Sequence, residues 1–217
     1  LQEESETTDE GEASETASTK GIKANGSLAI SGGTYAIYAA DDGFHSNSDI
    51  AISGGTLTIA SGDDGIHADG QVTVSDGTIV ISESYEGIEG LTIDITGGSI
   101  TLVSSDDGLN AAGGNDSSGF GPFGRDSFAA TEGAYIHIAG GVITIDASGD
   151  GIDSNGDLLI SGGEVYVSGP TGSGNGALDY AGNGTVTGGT VIAAGASGMA
   201  QNFDASSTQG VIMVNVG

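Results

Sequence analysis

The chain has 217 residues and is strongly acidic, with 30 Asp and Glu residues against 3 Lys and Arg residues and a formal charge of −27. It lacks the cations that displace counterions from phosphates, so nucleic acid is excluded as a partner and an anionic membrane surface is disfavoured. The 42 Gly, 2 Pro and absent Cys favour short strands and tight turns without disulfides. No run of about 18 apolar residues exists, so we expect no membrane-spanning segment.

The first segment, residues 1–19, is acidic, rich in Ser and Thr and almost without apolar residues. This composition is typical of disorder, and we interpret the segment as a tether to a cell surface. Because the sequence starts with Leu1 rather than Met, we expect a mature or trimmed chain. An extracellular or cell-surface location follows from this interpretation.

From Lys20 onward a repeat of about 22 residues organises the sequence. A Gly that follows an acidic position recurs with steps of 22, 22, 22, 21, 43 and 25 residues, so one repeat contains an insertion, at about 113–131. The recurring glycines are Gly21, Gly43, Gly65, Gly87, Gly108, Gly151 and Gly176. Continuous repetition predicts one elongated domain over residues 20–217. We expect the protein to be a monomer.

Each repeat contains three short runs in which apolar and polar residues alternate. One repeat has Ile50 and Ile52, a Gly-Gly turn, Leu57 and Ile59, and then Ile66 after the acidic pair. Period-2 alternation places these side chains on one side of each strand, and repeats stacked about 4.8 Å apart bury them in a shared interior. The sequence therefore predicts an all-β fold, a right-handed parallel β-helix of about 7–8 coils with three strands per coil. We expect residues 210–217 to end the stack.

Acidic residues recur at matching heights on successive coils. The position before the recurring Gly and its near neighbours supply the candidate metal ligands Asp41, Asp42, Asp63, Asp64, Glu86, Glu89, Asp106, Asp107, Asn110, Asp150 and Asp153. Two carboxylates about 5 Å apart repel by roughly 3 kcal/mol at an effective dielectric constant of about 20. Three basic residues in the chain cannot neutralise them. The acids therefore either form a solvated edge or bind metal ions between coils.

Carboxylate, amide and carbonyl oxygens without Cys select a hard cation, and Ca²⁺ fits best, with several ions between adjacent coils. We expect three ligand groups, listed in chain order: Asp63, Asp64, Glu86 and Glu89; then Asp106, Asp107 and Asn110; then Asp150 and Asp153. His45 and His67 lie one coil apart. We interpret them as outward-pointing surface residues or residues beside a metal site rather than as a transition-metal pair.

Two other features point to binding surfaces. Thr34, Thr56 and Thr78 recur after the Gly-Gly turn, which is compatible with an ice-binding face but also with ordinary strand propensity. The insertion at 113–131 carries Phe120, Phe123 and Phe128. These rings could stack on sugars or equally cover the rod.

The sequence does not indicate catalysis. Elimination across an acidic sugar needs a Lys or Arg base, and Lys23 is the only candidate on the repeated face. Carboxylate pairs suited to glycoside hydrolysis occur all along the acidic positions and are therefore not specific. We recognise no Ser-His-Asp arrangement, and we expect a protein that is not an enzyme.

The repeated units Ser-Gly-Gly-Thr-x-Thr-Ile and Asp-Asp-Gly-Ile-His-Ala, as in residues 53–68, resemble secreted bacterial carbohydrate-binding domain-containing β-helix proteins of cellulolytic clostridia. The resemblance covers residues 20–217, including the Phe- and Gly-rich insertion. It implies a fold like that of calcium-dependent polysaccharide lyases and binding of plant cell-wall polysaccharides, including acidic pectic chains and cellulose. It also implies calcium ligands at Asp63, Asp64, Glu86, Glu89 and Asp107.

The lyase base has no counterpart here, so the resemblance does not imply lyase activity. We therefore expect an extracellular, calcium-binding protein that adheres to plant cell-wall polysaccharide. Three alternatives stay open: a weak lyase acting on polygalacturonate, an ice-binding rod, and a purely structural adhesive rod.

Overall fold

The computed structural model describes residues 18–112 and 130–216. Most of the tether expected at 1–19, and most of the insertion expected at 113–131 with its three Phe residues, lie outside the described residues. Within these ranges the chain forms β-strands and no α-helix, as the composition predicts. The described residues accordingly include no helix that could cross a membrane.

The strands are 3 to 18 residues long and follow one another through the described residues. In order they are β1 (Ile22–Ala24), β2 (Leu28–Ala39), β3 (Phe44–Ser46), β4 (Ile50–Ser61), β5 (Ile66–Glu83), β6 (Ile88–Ile95), β7 (Ser99–Ser104), β8 (Leu109–Ala111), β9 (Tyr135–Ile138), β10 (Val142–Ala147), β11 (Ile152–Ser154), β12 (Asp157–Ile160), β13 (Glu164–Ser168), β14 (Leu178–Tyr180), β15 (Gly184–Val186) and β16 (Thr190–Ala194).

All strand pairs are parallel and join residues of successive coils. The first stack of strands begins just after the recurring Gly. Its apolar members pair in the order Ile22, Phe44, Ile66, Ile88, Leu109, Ile152 and Leu178. This ladder defines coils 1 to 7, and the predicted parallel β-helix is confirmed at the lower end of the expected number of coils.

Two further stacks complete each coil. The second contains the first part of β2 and β4, the middle of β5, the end of β6, and then β9, β12 and β15. The third contains the second part of β2 and β4, the end of β5, and then β7, β10, β13 and β16. The long strands β2, β4 and β5 turn a corner without a break, so one strand contributes to more than one stack.

The interior is a column of aliphatic side chains contributed by alternate residues of the three stacks. In coils 2 to 6 these residues are almost entirely shielded from solvent, as Ile52, Leu57, Ile66 and Val72 illustrate. Burial of one such side chain stabilises the fold by about 1.5–3 kcal/mol. Because every coil depends on its neighbours for this burial, the stack is stable only as a whole.

The corner between the second and third stacks requires glycine. Gly55 and Gly77 have φ angles of 104° and 117°, a region that residues with a Cβ rarely adopt. A Cβ on Gly55 would also lie 3.1 Å from the carbonyl oxygen of Gly33 one coil earlier. The repeated Gly-Gly and Asp-Gly pairs of the sequence therefore reflect both backbone conformation and close coil-to-coil approach.

Candidate metal centre

Two columns of polar side chains lie side by side at the corner before the first stack. The acid column consists of the residues preceding the recurring Gly: Asp42, Asp64, Glu86, Asp107 and Asp150. The second column consists of residues in the first stack that pair in register: His45, His67, Glu89, Asn110 and Asp153. All ten residues are buried.

This burial corrects two expectations. The second column was expected to point into solvent, but His67 is 0 % exposed. The alternative to metal binding was that the acids form a solvated edge, but Asp64 is also 0 % exposed. The two columns cover each other, because each second-column residue lies three positions after an acid on the same coil and contacts it or its neighbour. Only the residues one position earlier, Asp41, Asp63 and Asp106, are partly exposed.

Four of the five acid-column carboxylates, those of Asp42, Asp64, Asp107 and Asp150, also hold a backbone amide of the following coil. Oδ1 of Asp42 accepts the amide of Asp64 at 3.3 Å, and Oδ1 of Asp64 accepts the amide of Glu86 at 3.3 Å. The same bond recurs from the amide of Asp150 to Asp107, at 2.5 Å, and from the amide of Gly176 to Asp150. The column therefore has a structural role as well as its charge, since these bonds satisfy amides at a buried corner.

Lys20 and His45 hydrogen-bond to the first acid of the column, Asp42. Nζ of Lys20 lies 2.6 Å from Asp42 and 3.0 Å from Asp41, and Nδ1 of His45 lies 2.7 Å from Asp42. Burial alone would raise the pKa of Asp42, but the hydrogen bonds from His45 and Lys20 outweigh it and lower the pKa to about 2. These two side chains therefore stabilise the charged form of the Asp42 carboxyl.

In coil 3 a single imidazole faces two carboxylates. Nδ1 of His67 lies 3.1 Å from Asp64 and 2.5 Å from Glu89, and Nε2 lies 3.3 Å from Asp69. Burial opposes protonation of His67, but the hydrogen bonds with Asp64 and Glu89 prevail and raise its pKa to about 11. The imidazolium therefore supplies one positive charge to a group that holds two carboxyls.

From coil 4 onward the described cationic side chains no longer compensate the column. Glu86 accepts the amide of Asn110 at 2.8 Å, but burial and the neighbouring carboxylates Asp64, Glu89 and Asp107 raise its pKa well above the usual range. Burial, reinforced by Asp106, Asp153 and Asp150, raises the pKa of Asp107 to about 9. Protonation or a bound cation must relieve this repulsion.

The side-chain oxygens of coils 5 and 6 are suited to a hard cation. Asp107, Asp150 and Asp153 each offer an oxygen within 4.8 Å of the other two. Oδ2 of Asp107 and Oδ1 of Asn110 are buried and have no hydrogen-bond partner among the described residues. Unpartnered buried oxygens beside two further carboxylates match the all-oxygen ligand set of Ca²⁺. These residues fit the ion that the family resemblance implies.

The structure groups the predicted ligands differently from the sequence. Asp107 of the second expected group lies with Asp150 and Asp153 of the third. Asn110, also of the second group, donates a hydrogen bond from its side-chain amide to Glu86. Of the first expected group, Asp64 and Glu89 meet at His67, whereas Asp63 lies with Asp41 and Asp42. His67 was missed as a member of the centre; its place two residues after the recurring Gly, shared with Glu89 and Asp153, was the available signal.

A family model described as "Carbohydrate-binding domain-containing protein" matches residues 2–65, under a third of the chain. The match includes coil 1, most of coil 2 and the acids Asp41, Asp42, Asp63 and Asp64. It confirms, over this range, the resemblance stated from the repeated motifs. Comparisons with curated proteins and with solved structures gave no match.

Proposed function

We propose that this chain is an extracellular polysaccharide-binding protein that requires calcium and binds plant cell-wall glycans, acidic pectic chains and cellulose among them. The observation that carries carbohydrate binding is the match of residues 2–65 to carbohydrate-binding domain-containing proteins. The acidic composition and the tether-like first segment support a location outside the cell. Binding, not cleavage of the polysaccharide backbone, is the proposed activity.

The calcium requirement rests on the end of the columns formed by coils 4 to 6. Asp107, Asp150 and Asp153 would hold one ion, with the unpartnered oxygen of Asn110 adjacent. A cation there would replace the proton that burial and the neighbouring carboxylates favour on Asp107. Calcium at this place would stabilise coils 5 and 6 and, through coil-to-coil packing, the rod that presents the glycan-binding surface.

An acidic protein also needs cations to approach an acidic polymer. Asp41, Asp63 and Asp106 form a partly exposed row just outside the acid column, on coils 2, 3 and 5. Ions shared between this row and uronate carboxylates would join protein and pectin. An uncharged glycan such as cellulose would instead meet the third stack, where Thr34, Thr56 and Thr78 pair in register on exposed positions.

The alternative is a calcium-dependent lyase acting on polygalacturonate. Lys20 and Lys23 are the two basic side chains in the described part of the chain. Lys20 is engaged by Asp41 and Asp42. Lys23 is exposed and pairs in register with His45. The described residues include no further Lys or Arg that would bind a substrate carboxylate, which supports binding over elimination.

Affinity electrophoresis through polygalacturonate, together with co-sedimentation on cellulose, tests the proposal. We expect retardation by polygalacturonate in calcium and its loss in chelator. The variant Asp107→Asn/Asp153→Asn should bind pectin weakly at any calcium concentration that saturates the wild type. Asp146→Asn is the matched control, because Asp146 is an exposed Asp of β10 on another face.

The outcomes separate the alternatives. Unsaturated product absorbing in the ultraviolet would establish the lyase instead. Binding to neither polymer, in calcium or in chelator, would reject carbohydrate binding and favour a structural rod. Thermal hysteresis in that non-binding protein would identify an ice-binding surface.

A further inference from the structure

Three polar side chains on the second stack form a chain of hydrogen bonds across coils 4, 5 and 6. Oγ of Ser161 lies 2.9 Å from Nε2 of His137, and Nδ1 of His137 lies 3.2 Å from Oδ1 of Asp94. Asp94 and His137 are cross-strand neighbours in β6 and β9. Ser161 follows β12 directly and is exposed. These residues lie apart from the acid column, on a different stack.

The surroundings fix the role of each atom. Oδ2 of Asp94 accepts hydrogen bonds from the Gln71 amide at 2.6 Å and the Tyr135 hydroxyl at 2.7 Å. Asp94 is thereby held as a carboxylate acceptor, so Nδ1 of His137 donates to it. Nε2 of His137 then carries the lone pair and accepts the hydroxyl proton of Ser161. Nucleophile, base and orienting carboxylate are thus in the order that serine hydrolases use.

The repeat supplies an internal comparison. Ser53 occupies the same Ile-Ser-Gly-Gly turn as Ser161. Leu159, two positions before Ser161, pairs with His137, whereas Ala51, two positions before Ser53, pairs with Ala29. The turn alone therefore does not create the hydrogen-bonded chain. It arises where His137 and Asp94 replace small residues at the same height on the preceding coils.

We propose that Ser161, His137 and Asp94 form a catalytic triad for the hydrolysis of small carboxylic esters, and that acyl groups on polysaccharides are its substrate class. The choice of polysaccharide rests on the proposed function; the esterase chemistry does not. A cavity of about 610 Å³ is lined by Asp94, His137 and Leu159, among others, and Ser161 lies just outside it, within hydrogen-bond distance of His137. This activity departs from the sequence-based expectation that the chain is not an enzyme.

The reaction follows from these positions. Oγ of Ser161 attacks the ester carbonyl carbon while its proton moves to Nε2 of His137. The bond from that carbon to the alcohol oxygen breaks, and the imidazolium returns the proton to the departing alkoxide. Water, deprotonated by His137, then attacks the acyl-serine, releasing the carboxylic acid and restoring the Ser161 hydroxyl. Asp94 acts through His137 as a positioning residue.

Oxyanion stabilisation at this site is weak. The backbone amides of Ser161 and Gly162 donate to the carbonyl of Ile138, at 2.7 and 3.3 Å, and so are turned away from a bound ester. Loss of one oxyanion donor costs about 10²–10³ in kcat in serine hydrolases. We therefore expect slow turnover and detect the nucleophile by covalent capture rather than by rate alone.

The test is labelling of the full chain with a fluorophosphonate, read by intact mass and by peptide mapping, with p-nitrophenyl acetate hydrolysis alongside. We expect one adduct, located on Ser161 and absent in Ser161→Ala. Ser53→Ala, the matched control, should label like the wild type. His137→Gln should slow labelling by about 10²-fold or more. Asp94→Asn should slow it as well, and Asp94→Glu should restore part of the rate.

No adduct on the folded wild type, or an undiminished adduct in Ser161→Ala, overturns the proposal. Labelling that persists at full rate in His137→Gln overturns the role of the base. Because Ser161 is exposed, its replacement should leave the thermal melt and the glycan binding unchanged, so failure of the esterase and failure of carbohydrate binding are read separately.

Discussion

The imidazole rings of His45 and His67 are stacked face to face, with 4.8 Å between centroids and 4° between planes. They belong to paired residues of β3 and β5, so the stacking follows directly from the coil-to-coil register. Each ring faces an acid three residues earlier on its own coil, Asp42 or Asp64. In these coils a pair of imidazoles occupies the place that carboxylates occupy further along the column.

We predict that His67→Gln strongly destabilises the protein in chelator. Removing the imidazolium leaves Asp64 and Glu89 buried without their shared partner, and breaking a buried ion pair typically costs about 3–5 kcal/mol. Urea unfolding measures the loss. Lys23→Gln is the control, since this exposed residue of the same register should change stability by less than about 0.5 kcal/mol. Equal stabilities of the two variants would refute this role of His67.

We predict that calcium raises the thermal midpoint of the wild type and not that of Asp107→Asn/Asp153→Asn. Ligand at about 100 times its Kd stabilises by about 2.7 kcal/mol, which corresponds to several degrees for a chain of this size. Differential scanning calorimetry in calcium and in chelator measures the shift. Asp146→Asn, which removes one exposed carboxylate away from the columns, should keep the full shift. A wild type that melts identically in both buffers would argue against the centre.

Gly149 offers a test that leaves every ligand in place. A Cβ at this position would collide with Oδ1 of both Asp106 and Asp107. Gly149→Ala should therefore displace the Asp107 carboxylate and weaken calcium binding at least tenfold, measured by isothermal titration. Gly172→Ala, where a Cβ would meet nothing within 4 Å, should bind like the wild type. Unchanged affinity in Gly149→Ala would place the ion elsewhere.

In chelator, stability should fall as the pH rises from about 4 to about 9. The pKa of Asp107 is about 9 in the folded chain against an ordinary 3.8, so over this range the folded state holds a proton that the unfolded state has released. His67, with a pKa of about 11 against 6.5, contributes the same sign at higher pH. Asp42, lowered to about 2, acts oppositely and only below its ordinary value of 3.8.

Urea unfolding at about pH 5 and about pH 8 measures this slope. Asp107→Asn should flatten it, which separates the buried carboxyl from the general repulsion of an acidic chain. Calcium should also reduce the loss at the higher pH, because the ion replaces the proton. A slope that is the same in Asp107→Asn and the wild type would contradict the assignment to Asp107.

The fold could be predicted because its determinants are local and repeated. The alternation of apolar and polar residues is visible at Ile50 and Ile52 and at their equivalents on each coil. The recurring Gly indicates the register between coils. The register alone predicts that Asp107 and Asp150 are neighbours despite the 43-residue step between their coils.

Burial in the two columns was not predictable in the same way. Alternation correctly places His67 on the other side of its strand from Ile66, but it does not reveal what covers that side. The cover consists of Asp64 and Glu89, whose close approach depends on the shape of the corner. A general rule that charged residues are exposed therefore led to the wrong expectation.

The Asp94, His137 and Ser161 chain was missed for another reason. Each residue was considered only within its own coil, where its residue type does not indicate a functional site. Yet Asp94 lies between Ile93 and Ile95, and His137 lies between Ile136 and Ile138, so the repeat already placed them at one height. The hydrogen bond to Ser161 additionally depends on the path of the chain after β12, which the repeat does not specify.

The bonds from acid-column carboxylates to the amides of the following coil give the rod a direction. Asp42 holds the amide of Asp64, and Asp64 holds that of Glu86; the described bonds from acid-column carboxylates to backbone amides all lead to the following coil. Each of these acids therefore stabilises the backbone of the coil that follows it in the sequence. Replacing Asp64 should quicken hydrogen exchange at Glu86 and leave the amide of Asp64 itself, still held by Asp42, protected. The two ends of this solenoid are therefore not equivalent, because the loss of one acid weakens the coil on its C-terminal side.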